Sequence, residues 1–275
     1  MLTVKSKEEV SIELSNKRNK GLTIGFVPTM GALHLGHLSL IEKAKAENDV
    51  VVCSIFVNPT QFNSQNDFSN YPRTEENDLK LLKSAGCDIV YLPTFEDIYN
   101  NEQPFELNLG KLDQVMEGLY RPGHFKGVVR VVKRFFEIVQ PTKSYFGLKD
   151  YQQFLIIKTL GKALNLGGDI IGCETLREPS GLAMSSRNML LTKEEKRIAA
   201  EIFTSFQNIL QNSSVKNLQK CIEQEKQRLS QWFVIDYLDA RSSIDLSEQA
   251  NIDDNTRLFF AGRIGNVRLI DNIGL

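Results

Sequence analysis

The chain has 275 residues, with 33 Lys and Arg against 34 Asp and Glu, a net charge of −1, and 41% hydrophobic and 24% charged residues. That length suits one large domain or two modest ones, and the balanced charge argues against a nucleic-acid binder that relies on a general basic surface. No apolar run approaches the roughly 18 residues of a membrane span, and MLTVKSKEEV lacks the apolar core of a secretory signal, so a cytoplasmic protein with no membrane partner is expected.

The first clear strand pattern is LTIGFVPT at 22–29, followed by a helical pattern over 36–47 with Leu38, Leu40, Ile41 and Ala44 apolar. DVVVCSIFVN at 49–58 is β-branched and almost wholly apolar, which suits a parallel strand covered on both faces. A helix is predicted over 74–85, with Thr74 as its N-cap and Gly86 as its stop. A strand at 87–92 is ended by Pro93. This alternation marks an α/β protein with a doubly wound parallel sheet.

From 124 to 139, Phe125, Val128, Val129, Val132, Phe135, Phe136 and Val139 recur at helical spacing and form one apolar face. A strand at 143–147, a helix at 150–164 and a strand at 169–176 continue the sheet pattern. Composition then shifts. REPSGLAMSSRN reads as a loop, and Thr192 with Glu195 forms a capping box for one helix through about 211. A polar amphipathic helix over 215–231 and strands at 233–239, 256–261 and 266–271 complete the chain. The expected organisation is therefore a Rossmann-like domain over 1–176 and a smaller α+β domain over 177–275. Cys53, Cys87, Cys173 and Cys221 are far apart and form no C-x-x-C pair, as expected of thiols in a reducing compartment.

Two of the three histidines, His34 and His37, lie three residues apart in PTMGALHLGH. That stretch falls between the first strand and the first helix. Ligands bind at such carboxyl ends of parallel strands, and a helix start favours phosphate. Gly31 and Gly36 allow positive φ or close backbone approach. The imidazoles can add donors to phosphate oxygens and stabilise charge on a five-coordinate phosphorus. Three other readings compete: metal ligands, satisfied core histidines, and glycines that only shape a turn. The zincin arrangement is excluded, because its histidines are four apart with a glutamate between. The stretch is neither a Walker A loop nor a dinucleotide fingerprint.

HLGH resembles the H-x-G-H signature of the nucleotidylyltransferase superfamily. FVNPTQF at 56–62, YPRT at 71–74, RPGHFKGV at 121–128, FGLKDYQQ at 146–153 and LAMSSRN at 182–188 follow in the order of the pantoate–β-alanine ligase family. The resemblance runs from about residue 3 to 275, with its motifs within 25–190. It implies ATP-dependent joining of pantoate to β-alanine through a pantoyl adenylate, with AMP and pyrophosphate released. It further implies a lid-like C-terminal domain and a homodimer, and Mg2+ is expected with ATP, because the phosphates repel one another and an oxygen-loving dication neutralises them.

The resemblance also assigns residues. Met30, Gly31, Ala32, Leu33, His34, Leu35, Gly36 and His37 would line the ATP site, with His34 and His37 near the phosphates and His37 as proton donor. Gly147, Leu148, Lys149 and Asp150 match a second ATP-contacting stretch, in which Lys149 acts as a point charge. Leu176 lies where the family makes a backbone contact to adenine. Met184, Ser185, Ser186 and Arg187 match a KMSKS-like loop, with hydroxyls and a guanidinium suited to phosphate. The same stretch also reads as a flexible interdomain loop. Gln61 and Gln153 match the amides that hold pantoate, and Gln61 also reaches β-alanine; neutral amides suit hydroxyls because they donate and accept at once.

Asn58 is a weaker candidate for the same pocket, and His124 and Arg121 are candidates either for the site or for a helix start. The protein ligands of the metal are not assigned. Asp78 is offered for that role against the reading of a solvated helix face. The chain departs from the family pattern at Leu148, where a glutamate is expected, at Ser180 for aspartate and at Arg130 for threonine. Rival readings are an adenylyltransferase that stops on a phosphate, a tRNA synthetase and a silent nucleotide sensor.

Overall fold

The computed structural model describes residues 1–100, 102–213 and 217–274. These divide into two compact units. The first comprises Met1–Gly110, Arg121–Leu148 and Gln153–Glu174; the second comprises Lys111–Tyr120, Lys149–Gln152 and Thr175–Leu275.

The first unit is built on a six-stranded parallel sheet of β1 (Leu2–Val4), β2 (Ile24–Thr29), β3 (Val50–Ile55), β4 (Ile89–Tyr91), β5 (Lys143–Gly147) and β6 (Asp169–Cys173), in the order β1-β4-β3-β2-β5-β6. The chain runs from β2 outward through β3 to β4, then returns to the other side of β2 with β5 and β6. Strand order therefore reverses at β2, where an α/β sheet opens a crevice for ligand.

Both faces of this sheet are covered, which explains why its central strands are continuously apolar. On one face, Val27, Val51, Cys53 and Val90 pack with Leu40, Ile41 and Ala44 of α2 (Leu35–Glu47) and Leu82 of α4 (Glu75–Ser84). On the other, Phe26 meets Phe135 of α7 (His124–Val139) edge-on at 5.7 Å, and Phe56 and Tyr91 pack on the same ring. All seven apolar positions predicted for α7 are buried.

Strand β1 and helix α1 (Lys7–Arg18), which starts in a Ser6–Glu9 capping box, were not anticipated from the sequence. A three-residue edge strand has too short a pattern to detect, and α1 buries only Val10 and Leu14. The short helices α3 (Gln65–Asn70), α5 (Phe95–Tyr99) and α6 (Glu117–Tyr120) also went unseen. The strands predicted at 49–58 and 169–176 are shorter, ending at Ile55 and Cys173. Beyond these points the chain leaves the ladder to form loops. Helix α8 (Tyr151–Leu164) follows a 3-10 turn at Leu148–Asp150.

In the second unit, β7 (Val234–Ser242), β8 (Thr256–Ile264) and β9 (Val267–Gly274) form an antiparallel sheet packed with α9 (Lys193–Ala199), α10 (Glu201–Asn212) and α11 (Leu218–Leu229). The Thr192–Glu195 capping box is present, but the single predicted helix is two, joined at Ala200. The helix predicted over 215–231 begins on residues outside those described and spans Leu218–Leu229.

All four cysteines are free and buried. Burial pushes the thiol of Cys87 up to about 12 and that of Cys173 up to about 11, so both stay protonated and unreactive near neutrality. No helix among the described residues is long and apolar enough to cross a membrane.

Candidate active site

The carboxyl ends of three neighbouring strands carry three of the sequence motifs. Met30–His37 follows β2, Asn58–Gln61 follows β3, and Gly147 ends β5 with Leu148 directly after it. Parallel pairing brings these three exits to one edge of the sheet.

The turn after β2 is held from below. Thr29 Oγ1 donates to the Ser54 carbonyl at 2.8 Å and accepts from the Gly31 amide at 3.2 Å. Gly31 and Ala32 then take φ of +77° and +51°. Two consecutive left-handed residues are costly, and only the first is a glycine. The compensation is Asp78, which is only 1% exposed. Its two oxygens accept from the amides of Ala32 at 2.9 Å and Leu33 at 2.8 Å, and Oδ1 also accepts from the Thr74 hydroxyl at 3.0 Å. Asp78 is thus neither a solvated helix-face residue nor a free metal ligand, because its oxygens clamp the turn. Thr74 precedes α4 as expected, but its hydroxyl turns to Asp78 and does not cap the helix. Gly36 lies inside α2, so the left-handed positions are Gly31 and Ala32.

Helix α2 begins immediately after His34. The His34 amide donates to Nδ1 of His37 at 3.3 Å, and the two rings lie 4.0 Å apart between centroids. With Nδ1 accepting, a neutral His37 ring carries its proton on Nε2. Both rings are half-buried, and Leu35 is 60% exposed.

Gln61 is buried, and its amide is oriented at both ends. Nε2 donates to Sδ of Met30 at 3.0 Å, and Oε1 accepts from Asn58 Nδ2 at 3.0 Å. Asn58 is wholly buried and is used up internally. Its Nδ2 also donates to the Gly127 carbonyl, and its Oδ1 accepts from Thr60 and from the Tyr99 hydroxyl at 2.8 Å. Burial pushes the Tyr99 phenol up to about 12, which keeps it a hydrogen-bond donor. Asn58 is therefore a strut for Gln61.

His124 plays a related part. Its Nδ1 donates to the Gln61 carbonyl at 2.7 Å, and its Nε2 sits 3.2 Å from the Arg121 guanidinium. A carbonyl can only accept and a guanidinium only donate, so this ring is neutral with its proton on Nδ1. His124 and Arg121 fasten the 59–61 turn against α7. The approach is close: a Cβ on Gly127 would lie 2.3 Å from the Thr60 carbonyl oxygen. Only glycine fits there.

Gln153 is half-buried in α8, whereas its neighbour Gln152 is buried and engaged in the second unit with the Glu117 amide and the carbonyls of Leu112 and Val115. Leu148 and Phe154 both lie against Gly172, in the space that a β6 side chain would otherwise take. That apolar contact accounts for leucine in place of the expected glutamate. Arg130 is exposed, pairs with Glu102 and stacks 4.2 Å over Tyr99.

The remaining assigned residues belong to the second unit. Lys149 is largely buried, with Nζ 3.7 Å from Asp150. Leu176 and Met184 join across a hairpin, with the Met184 amide donating to the Leu176 carbonyl at 3.0 Å. Ser185 caps the following turn by accepting from the Arg187 amide, and Ser186 is buried. Ser180 accepts from the Leu182 amide at 3.4 Å, so a hydroxyl takes over a turn-closing role where aspartate was expected.

This segment is not a loose linker. Arg177 donates to the Gly181 carbonyl and to both oxygens of Asp271, and Asn188 donates to Glu178 and to the Ala183 carbonyl. Burial pushes the Asp271 carboxyl up, while Arg177, the Asn272 amide and the nearby charge of Lys149 pull it back down.

Sequence reasoning missed the clamp by Asp78, the Met30–Gln61 link and the strut formed by Asn58 and Tyr99. All join residues more than 30 positions apart, or depend on a partner that is, so no local spacing could announce them.

A family model described as Pantoate-beta-alanine ligase matches residues 2–274. A pantothenate synthetase of Cytophaga hutchinsonii is 42% identical, with 99% of each chain covered, and one of Aquifex aeolicus is 41% identical over 94% of this chain and 93% of its own. A crystal structure of the Thermus thermophilus pantothenate synthetase superposes with a TM-score of 0.92 at 38% identity, covering 100% of this chain and 99% of that one. The pantoate-beta-alanine ligase of Francisella tularensis, complexed with beta-gamma ATP and beta-alanine, superposes at 0.83 with 39% identity, covering 100% and 97%. On these grounds the chain belongs to the pantoate-beta-alanine ligase family.

Proposed function

We propose that the protein condenses pantoate with β-alanine, driven by ATP, giving pantothenate, AMP and pyrophosphate. A carboxylate cannot be attacked directly by an amine, because its leaving group would be oxide. In the first step a pantoate carboxylate oxygen attacks the α-phosphorus, and the bond to the bridging oxygen breaks to release pyrophosphate. In the second the neutral amine of β-alanine attacks the acyl carbon. The acyl–oxygen bond to AMP breaks, and the amine loses a proton.

The observation that carries this reading is the bond from Gln61 to Met30. It ties an oriented, buried amide, suited to the hydroxyls of a small acid, to the strand-end turn that leads into His34 and His37. The Nε2–H of His37 is assigned to the phosphates, where it stabilises charge that grows in the five-coordinate transition state. The main-chain turn Met30–Leu33 shapes the nucleotide side. Its Ala32 and Leu33 amides are engaged by Asp78, so those two main-chain groups hold the turn. Lys149 and the Met184–Arg187 segment are assigned to the nucleotide, and Gln61 with Gln153 to pantoate.

Among the described residues no group of three or more His, Cys, Asp or Glu side chains could hold a metal ion. Magnesium would accordingly arrive with ATP, coordinated by phosphate oxygens and water and supplying charge neutralisation. A homodimer and a cytoplasmic location complete the proposal, as family resemblance implies.

The direct assay supplies ATP, Mg2+, D-pantoate and β-alanine and follows AMP and pyrophosphate. Nucleotide cleavage that depends on pantoate is expected. Cleavage without pantoate, or none with all reactants present, defeats the reading. A sharper check concerns the acid pocket. Gln153→Ala is expected to raise the KM for pantoate by roughly tenfold or more, the scale of losing amide bonds to a hydroxyl, while the KM for ATP changes little. Equal changes for both substrates would remove Gln153 from the pantoate pocket.

A further inference from the structure

The last strand carries a dipeptide that reaches two of the segments assigned to the nucleotide. Asp271 is buried and receives both arms of Arg177, at 2.6 and 3.0 Å. Arg177 also donates to the Gly181 carbonyl at 3.1 Å and the Asn272 carbonyl at 3.2 Å. These bonds fix the base of the 176–184 hairpin, which leads directly into Ser185–Arg187.

Asn272, 3% exposed, turns to the other segment, and its Nδ2 donates to the Lys149 carbonyl at 2.7 Å. The orientation of this amide is determined. Oδ1 accepts from Arg257, and a guanidinium can only donate, so the amide nitrogen must face Lys149. Arg257 is itself placed 4.1 Å over the Tyr151 ring, and the Tyr151 hydroxyl donates to the Ser243 carbonyl at 2.9 Å. The main-chain N–H of Asn272 donates to Asp271 Oδ1 at 2.8 Å, which ties the Asp271 carboxylate to the backbone that carries Asn272.

The bond from Asn272 holds the main chain of Lys149, while the Lys149 ammonium lies 3.7 Å from an Asp150 oxygen. A lysine has a long flexible stem, and ordering it on a phosphate costs rotamer entropy. Fixing its backbone narrows the search. We propose that Asp271 and Asn272 are positioning residues for the nucleotide chemistry, one holding the base of the 176–184 hairpin and the other the main chain of Lys149. This rests on the assignment of Lys149 to the phosphates.

The test is a double-mutant cycle on the full chain with Asn272→Asp and Lys149→Ala, singly and together. Aspartate has the same size and keeps the acceptor for Arg257 but cannot donate to Lys149. Asn272→Asp is expected to lower kcat/KM for ATP about five- to tenfold, the scale of one lost hydrogen bond, with the KM for pantoate unchanged. In the Lys149→Ala background the same substitution should cost no more than about twofold, because the group it positions is gone.

A full loss in that background, or equal losses for ATP and pantoate, overturns the proposal and makes Asn272 a purely structural residue. Wild-type turnover of Lys149→Ala alone instead removes the assignment of Lys149, a distinct failure that the single variant reveals. Should Asn272→Asp not fold, Arg257→Gln, which releases the amide orientation, goes through the same cycle with the same expected and overturning results.

Discussion

His37→Ala lowers turnover by roughly 10²–10³, the scale of losing one preorganised donor to a charged transition state. The ring is oriented by the His34 amide, which donates to Nδ1 and so leaves Nε2–H directed elsewhere. The fold should tolerate the change, because the ring is half-buried and the bond from the His34 amide is a long one, 3.3 Å, at a helix start. Such a bond is worth about 1 kcal/mol.

Two further variants separate orientation from chemistry. In asparagine the side-chain oxygen stands near the position of Nδ1, so His37→Asn keeps the helix start but has nothing at Nε2. It should be as slow as alanine. In glutamine the amide nitrogen reaches the Nε2 position, and His37→Gln should recover part of the rate. Steady-state kinetics and a thermal melt on each variant check this. Wild-type turnover in His37→Ala would take the residue out of the mechanism, and an equal rate for asparagine and glutamine would show that the Nε2 position is unimportant.

Asp78→Ala is expected to be the most damaging substitution for stability. The carboxylate serves the amides of Ala32 and Leu33 and the hydroxyl of Thr74, all at 3.0 Å or less. Removing it strips two buried backbone donors of this acceptor at a cost of about 1–3 kcal/mol each, so a loss of about 3–5 kcal/mol follows. The turn it holds contains Ala32 at φ +51°, a conformation an alanine adopts only when its surroundings impose it. Asp78→Asn keeps one acceptor but aims an NH2 group at a backbone N–H, and it should lose at least half as much. Urea unfolding measures both: the midpoint should fall with the slope unchanged. A loss under about 1 kcal/mol for Asp78→Ala would mean that the turn keeps its shape by other means. The activity of the surviving folded protein then reports on the turn, because His34 directly follows the clamped amides.

These two residues differ in how readable they were. His37 stood out because histidine is scarce and because a strand end, a glycine and a helix start surround it. Asp78 looked like any acidic residue in the first turn of a helix. Its role depends on α4, in the β3–β4 crossover, lying beside the turn after β2, and on burial that no charge pattern predicts. The same contrast holds for the glutamines. Gln61 was legible through the FVNPTQF resemblance, but its fixation by Asn58, Tyr99 and His124 was not. His124 was legible only as a site or helix-start candidate, and its bond to the Gln61 carbonyl joins residues 63 positions apart.

What the sequence by itself determined is the layer architecture and the places where chemistry could occur. Continuous apolar runs set the parallel sheet and a period of 3.6 set the buried face of α7, because burial of those side chains is the main driving force and acts on short stretches. The motifs at strand ends set the candidate site. Only the tertiary structure decided which polar groups stay available to a ligand and which are consumed in holding the site together. Hydrogen-bond satisfaction of buried groups is a long-range constraint, met by Asp78 across 46 residues and by Asn272 across 123, and it leaves no periodic trace along the chain.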